Sequence, residues 1–205
     1  MERDKIIETA VVLFKRYGIR ANTMDDIAKE SGISKKTLYQ NISDKTELIK
    51  GVIDFEYNLI EQSLKNIKEQ AQDNVEELIL VNALIINFLK EINPVVVSDL
   101  QKLYQDLHTN SRKVFRELFF NFIINSIKNG KNNKLFREDI DEKLITELHT
   151  DRIDKMQELS SFWGASSDAI KKIREMITYY LRGLVTDKGE KLLNKHLTNF
   201  DNYIN

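Results

Sequence analysis

No cysteine occurs among the 205 residues, which excludes disulfides, thiolate metal sites and cysteine nucleophiles and fits a reducing, cytoplasmic setting. Proline appears once and glycine seven times, so little in the chain interrupts a helix. Histidine is equally scarce: His108, His149 and His196 lie too far apart for a paired-ligand metal site. The glycines fall in no phosphate-cradling or dinucleotide pattern, and there is no Gly-x-Ser-x-Gly elbow. Neither an enzyme nor a bound cofactor is expected. The longest apolar runs, Leu78 to Leu89 and Leu118 to Ile127, are broken by asparagines and fall short of the roughly 20 residues a membrane helix needs. The chain opens on Glu2, Arg3, Asp4 and Lys5 rather than on the apolar block of a signal peptide. No membrane segment is expected.

What is present is an ordinary globular composition, 41% hydrophobic and 31% charged, long enough for a small domain followed by a larger one. The net charge of -1 hides a gradient. Residues 1–50 carry 10 basic against 8 acidic side chains, whereas residues 51–205 carry 21 against 24. The positive end suits an anionic partner such as nucleic acid.

That end contains the most informative stretch, Thr23 to Lys45. Thr23 with Asp26 three residues later has the spacing of a capping box at the start of a helix. Ser31-Gly32 ends that helix, and Ser34 caps a second one running from Lys35 to Asn41. Only Leu38 in this second helix looks buried. Lys35, Lys36, Thr37, Tyr39, Gln40 and Asn41 are all hydrogen-bonding types, and so polar a helix needs an outside partner. Upstream, Ile6, Ala10, Leu13, Phe14 and Tyr17 recur at steps of three and four, with Gly18 as the stop. Together these make a three-helix unit with a core of Ile6, Ala10, Leu13, Phe14, Ile27, Ile33 and Leu38. So small a core needs bracing. The next helix supplies it, capped by Asp44 and Glu47 and carrying Leu48, Val52, Phe55 and Leu59 on one face.

The remainder reads as helix throughout, without strand-like alternation or an internal repeat. Asn93-Pro94 opens a helix carrying Val97, Leu100, Tyr104 and Leu107, and Gly130 ends an aromatic helix with Phe115, Leu118, Phe119 and Phe122. Further helices start near Asp139 and Ile170. The class is all-α.

The residues Ile7, Thr9-Ala10, Leu13-Phe14, Gly18, Thr23, Asp26-Ile27-Ala28, Gly32-Ile33-Ser34-Lys35, Thr37-Leu38-Tyr39, Lys45 and Leu48, in this order, resemble the TetR (tetracycline-repressor-like) family of bacterial transcriptional regulators. The resemblance covers about a quarter of the chain. It implies a helix-turn-helix DNA-binding domain at 1–47 and a larger helical bundle at 48–205 that binds a ligand and dimerises. The chain departs from the family's usual run after Tyr39, where Gln40-Asn41-Ile42 bears on which bases are read.

In helix-turn-helix geometry the second helix enters the major groove with its N-terminal residues at base edges. Lys36 then suits guanine acceptors, Gln40 or Asn41 the bidentate contact with adenine, and Thr37 thymine or phosphate. Ser34 caps this reading helix, and Thr23, Lys35, Tyr39 and Lys45 fall to phosphates, which position without specifying. Any one of these side chains equally suits a merely solvated face. The partner expected is double-stranded DNA carrying a palindromic operator, bound by a homodimer of a ligand-responsive repressor. The alternative is a DNA-binding dimer controlled by a protein partner.

For the effector, Phe55, Phe88, Tyr104, Phe115, Phe119, Phe122 and Trp163, with Gln101, His108 and Asn125 as polar handles, are candidates for lining an apolar pocket. Each of them suits a packed core as well. For the dimer, Ile170, Ile173, Ile177, Tyr180, Leu181 and Leu184 form a stripe suited to an interface helix beside the helix from Ile140 to Leu159. The same stripe suits the chain's own core.

Overall fold

The computed structural model describes the backbone of residues 2–163 and 167–204; the side chains of 156–163, 167–170 and 201 lie outside the described set. In chain order the helices are α1 (Glu2–Tyr17), α2 (Met24–Glu30), α3 (Lys35–Asn41), α4 (Lys45–Gln70), α5 (Asn74–Glu91), α6 (Pro94–Leu103), α7 (Gln105–Asn132), α8 (Glu142–Trp163), α9 (Ser167–Leu184), α10 (Asp187–Leu197) and α11 (Phe200–Tyr203). Among the described residues the one extended pairing is an isolated antiparallel bridge between Phe136 and Val185. The protein is an all-α molecule with an N-terminal helix-turn-helix unit and a larger helical part. No single helix among the described residues is long and apolar enough to cross a membrane.

Two compact units divide the chain. The first combines residues 1–61 with 91–115, and the second combines 62–90 with 116–205. In the first, Ile6, Ala10, Phe14, Ile27, Leu38 and Leu48 are buried as their spacing requires, joined by Ile7, Val11, Ile19, Met24, Ile42 and Ile49. Leu13 and Ile33 sit at the edge, and so do Val96, Leu100, Tyr104 and Leu107 from α6 and the segment after it. Leu59 is 49% exposed and takes no part. The marginal three-helix core is therefore completed by a segment some eighty residues away in sequence.

The helix starts follow their capping chemistry. Asn93 accepts from the Val95 N–H with Pro94 in the first turn, and Asp44 accepts from the Glu47 N–H at 2.8 Å. The Glu47 carboxylate reaches back to the N–H of Ser43 at 2.7 Å rather than to that of Asp44. Two boundaries differ from expectation. The helix opened by Pro94 stops at Leu103 because Tyr104 leaves helical geometry, and α7 begins immediately after it. At its far end α7 continues through Gly130 to Asn132, and its last turn closes at Lys134, the described non-glycine residue with positive φ.

The second unit is built on α5, whose Val75, Leu78, Ile79, Val81, Ile85 and Ile86 are buried, together with Phe119, Ile123 and Ile127 of α7 and Ile177, Leu181 and Leu184 of α9. Several of its buried polar groups have polar partners. Glu77, nearly inaccessible, accepts from Lys68 at 2.7 Å, Asn74 at 3.1 Å and Ser126 at 2.7 Å. His196 pairs with Asp73 at 2.8 Å, tying α10 to the start of α5. Helix α8 is capped by Asp141, whose carboxylate accepts from the Leu144 N–H at 2.9 Å; Asp139, near the expected start, pairs with Arg137 instead.

Candidate nucleic-acid interface

Helix α2 is seated by the pairing its sequence predicts. The Thr23 hydroxyl accepts from the Asp26 N–H at 3.2 Å, and Asp26 Oδ2 accepts from the Thr23 N–H at 2.9 Å and its hydroxyl at 2.6 Å. Those bonds hold the Asp26 carboxyl below its ordinary range. After α2, the N–H of Ser31 closes on Ile27 at 2.9 Å and that of Ile33 on Ala28 at 3.0 Å, with Gly32 at φ +69° between them. This tight turn aims α3 away from α2.

Ser34 caps α3 by accepting from the Thr37 N–H at 3.1 Å, and its hydroxyl also pairs with that of Thr37 at 2.8 Å. Leu38 is 0% exposed and anchors the helix. Lys35, Lys36, Tyr39 and Gln40 are exposed, while Thr37 and Asn41 are half-buried. Four adjacent donors and acceptors therefore face outward from a helix held by one leucine. Lys35 forms an ion pair with Asp25 of α2.

Two expected contacts are committed elsewhere. The Asn41 amide donates to the carbonyl of Thr37 at 2.9 Å, which turns it along its own helix. Lys45 donates to the carbonyls of Ile19, at 2.7 Å, and Asn22. Its burial lowers its pKa against the attraction of Asp99 and Asp26. One contributor was missed in the sequence. Arg3 donates to the Asn41 carbonyl at 2.6 Å and to Glu47 at 2.7 Å, closing the C-terminal end of α3. Ser43 first and Arg3 second hold the Glu47 carboxyl down to about 2. No local pattern announces this link, because its partners lie 38 and 44 positions away.

The candidate pocket residues divide between the units. Phe55, Gln101, Tyr104, His108 and Phe115 belong to the first, and Phe88, Phe119, Phe122 and Asn125 to the second. Gln101 and Asn125 are exposed, Phe119 is buried and the others are half-buried. Phe115 stacks obliquely on Tyr57 at 6.0 Å. Burial first and Arg112 second lower the His108 pKa. The Trp163 side chain lies outside the described residues.

Of the candidate interface residues, Ile177, Leu181 and Leu184 are 1%, 0% and 2% exposed and so are spent inside the chain's own core. Ile173 and Tyr180 are half-buried, and the Ile170 side chain lies outside the described residues. Among the described residues of α8 and α9 the large exposed apolar side chains are others: Leu144 and Leu148 of α8, and Tyr179 of α9, which is 85% exposed.

The family model for bacterial regulatory proteins of the tetR family matches residues 6–52. An HTH-type transcriptional regulator of Staphylococcus aureus (strain USA300) is 36% identical over 74 residues, 36% of this chain and 40% of that protein. The chain spans well under half the length of the curated relatives it matches, 24% and 40% for two of them. Over the whole fold, a TetR-family transcriptional regulator from Cytophaga hutchinsonii superimposes with a TM-score of 0.73 at 17% identity, covering 91% of this chain and 96% of the other. The fatty acid degradation regulator FadR from Bacillus halodurans does so with a TM-score of 0.69 at 17% identity, covering 89% and 95%.

Proposed function

We propose, from the match of residues 6–52 to the family model for bacterial regulatory proteins of the tetR family, that the chain is a ligand-responsive repressor of that family that binds a palindromic operator as a homodimer. The observation that carries this reading is α3, where Lys36, Tyr39 and Gln40 stand exposed while Leu38 alone is fully buried. A helix presented this way has no structural use for its outward face. Lys36 and Gln40 read base edges from the major groove. Ser34, Thr37, Thr23, Lys35 and Tyr39 hold the backbone and the helix start. Asn41 and Lys45 act on the geometry of the reading unit. The first 47 residues are the reading domain, and residues 48–205 hold the effector and the dimer contacts, all within the cytoplasm.

A small apolar or amphipathic effector would seat among half-buried aromatics of the second unit, Phe88 and Phe122. That a fold neighbour is a fatty acid degradation regulator supports this class of ligand. Among the described residues, Leu144, Leu148 and Tyr179 are the exposed large apolar side chains of α8 and α9 that could meet a second copy, and two reading helices about 34 to 36 Å apart then match successive turns of DNA. Selection of duplexes from a random library tests the reading. A two-fold symmetric site, with log affinity falling by about 0.9 per neutralised phosphate against log salt, is the expected result. Recovery of no preferred sequence would overturn it.

A further inference from the structure

We propose that Asp99, in a segment outside the matched helix-turn-helix region, is a positioning residue for operator binding: it locks the turn from which the reading helices start. The proposal rests on the regulator reading above and adds the residue that sets its geometry.

The turn in question is Gly18 to Asn22, between α1 and α2. Asp99 Oδ2 accepts from the backbone N–H of Ile19 at 2.9 Å and of Arg20 at 2.8 Å. Lys45 donates to the carbonyls of Ile19 and Asn22 from the other side. Asn22, 6% exposed, donates to the Gly18 carbonyl at 2.7 Å. Ile19 is thus held at both its N–H and its C=O by charged side chains from two different helices, and bonds to charged groups are the stronger kind.

The same segment approaches at two further points. Asn93 donates to the Lys15 carbonyl at 3.0 Å, near the C-terminal end of α1. Gly18 has φ +86°, and a Cβ placed there would lie 2.7 Å from Val95 Cγ1. A side chain at 18 would be strained in its backbone and would push α6 away. Glycine at that position serves the approach of α6 as well as the end of α1.

The consequence follows from the position of the turn. Asn22 immediately precedes Thr23, the N-cap of α2, and α2 leads through four residues into α3. A shift of the turn is therefore carried into the orientation of Lys36, Tyr39 and Gln40. No other acidic residue among the described hydrogen bonds accepts from this turn's N–H groups. Asp99 contributes by geometry; its charge opposes DNA.

That opposition gives the test opposite signs for the two roles. The probe is the duplex that the native full-length chain selects, titrated with native protein, Asp99→Asn and Asp99→Ala at several salt concentrations. Removing an anion from the DNA-binding unit should leave affinity equal or raised if only its charge matters. The lock predicts the reverse, about a tenfold loss for Asp99→Ala and a smaller loss for Asp99→Asn, whose amide oxygen still accepts. The salt slope should stay unchanged, since no phosphate contact is lost. Equal or tighter binding by both variants would overturn the proposal.

Amide hydrogen exchange on the free native chain decides it without any variant or DNA. The N–H groups of Ile19 and Arg20 should be protected at least a hundredfold over free peptide rates, and exchange at the unprotected rate would overturn the lock. Should the native chain select no duplex, the regulator reading fails while the exchange result still stands on its own.

Discussion

The ammonium of Lys45 donates to the carbonyl oxygen of Ile19 at 2.7 Å, twenty-six positions earlier in the chain. A lysine at the start of a helix in a DNA-binding unit suits a phosphate contact, yet this one closes a turn. Replacing Lys45 with Met should cost about 1 to 2 kcal/mol of folding stability through two carbonyls left unpaired. The slope of log affinity against log salt should not change. A slope reduced by about 0.9 with stability intact would instead place Lys45 on a phosphate.

Gln40 and Asn41 are adjacent but not equivalent. Gln40 is exposed, whereas the Asn41 amide is turned back onto Thr37. Gln40→Ala should relax the preference at one base pair, by about 1 to 3 kcal/mol of discrimination. Asn41→Ala should leave the selected sequence unchanged. Duplex selection with each variant separates them, and a changed consensus for Asn41→Ala alone would reverse the assignment.

Leu38 holds α3 from the inside with no exposed surface. Leu38→Ala should cost about 2 to 5 kcal/mol in denaturant unfolding, the usual range for a truncated core leucine. A loss below about 1 kcal/mol would mean that α3 is held by its polar contacts.

His149 is fully buried, its ring 4.4 Å from that of Tyr180 and its Nδ1 3.1 Å from Arg152 Nη2. Burial first and the Arg152 charge second hold its pKa well below the ordinary 6.5. Below pH 6.5 the unfolded chain takes up a proton that the folded chain refuses, so stability falls with pH by about 1.4 kcal/mol per unit and is unaffected above 6.5. His149→Gln should flatten the stability profile between pH 6.5 and 5. Profiles that stay parallel would show that His149 does not carry the effect.

Leu148 is 55% exposed on α8 while Ile177 on α9 is 1% exposed. Leu148→Arg should shift the protein towards monomer in sedimentation while its unfolding transition, followed at low concentration, stays in place. Ile177→Ala should do the opposite, lowering stability by about 2 kcal/mol or more. A Leu148→Arg protein that remains fully dimeric would move the contact off this face.

The reading unit was legible because its information is local. A capping threonine with Asp26 three residues later, a glycine at a left-handed turn and a single apolar residue in α3 each act over a few positions, where backbone geometry ties spacing to direction. The exposed Lys36, Tyr39 and Gln40 follow from the same periodicity. The α9 stripe was legible as amphipathic too, but a stripe states only that a face is buried, and Ile177, Leu181 and Leu184 bury theirs in their own chain.

By its sequence alone this protein is an all-helical chain whose first quarter folds as a helix-turn-helix with a polar second helix, because caps, turns and helical periods are short-range physics. The contacts that hold that helix in place were decided only by the tertiary structure. Lys45 on Ile19, Arg3 on Asn41 and Asp99 on the Ile19 and Arg20 amides join residues 26 to 80 positions apart, and a charged side chain carries no mark of which distant backbone group it will satisfy until burial brings the two together.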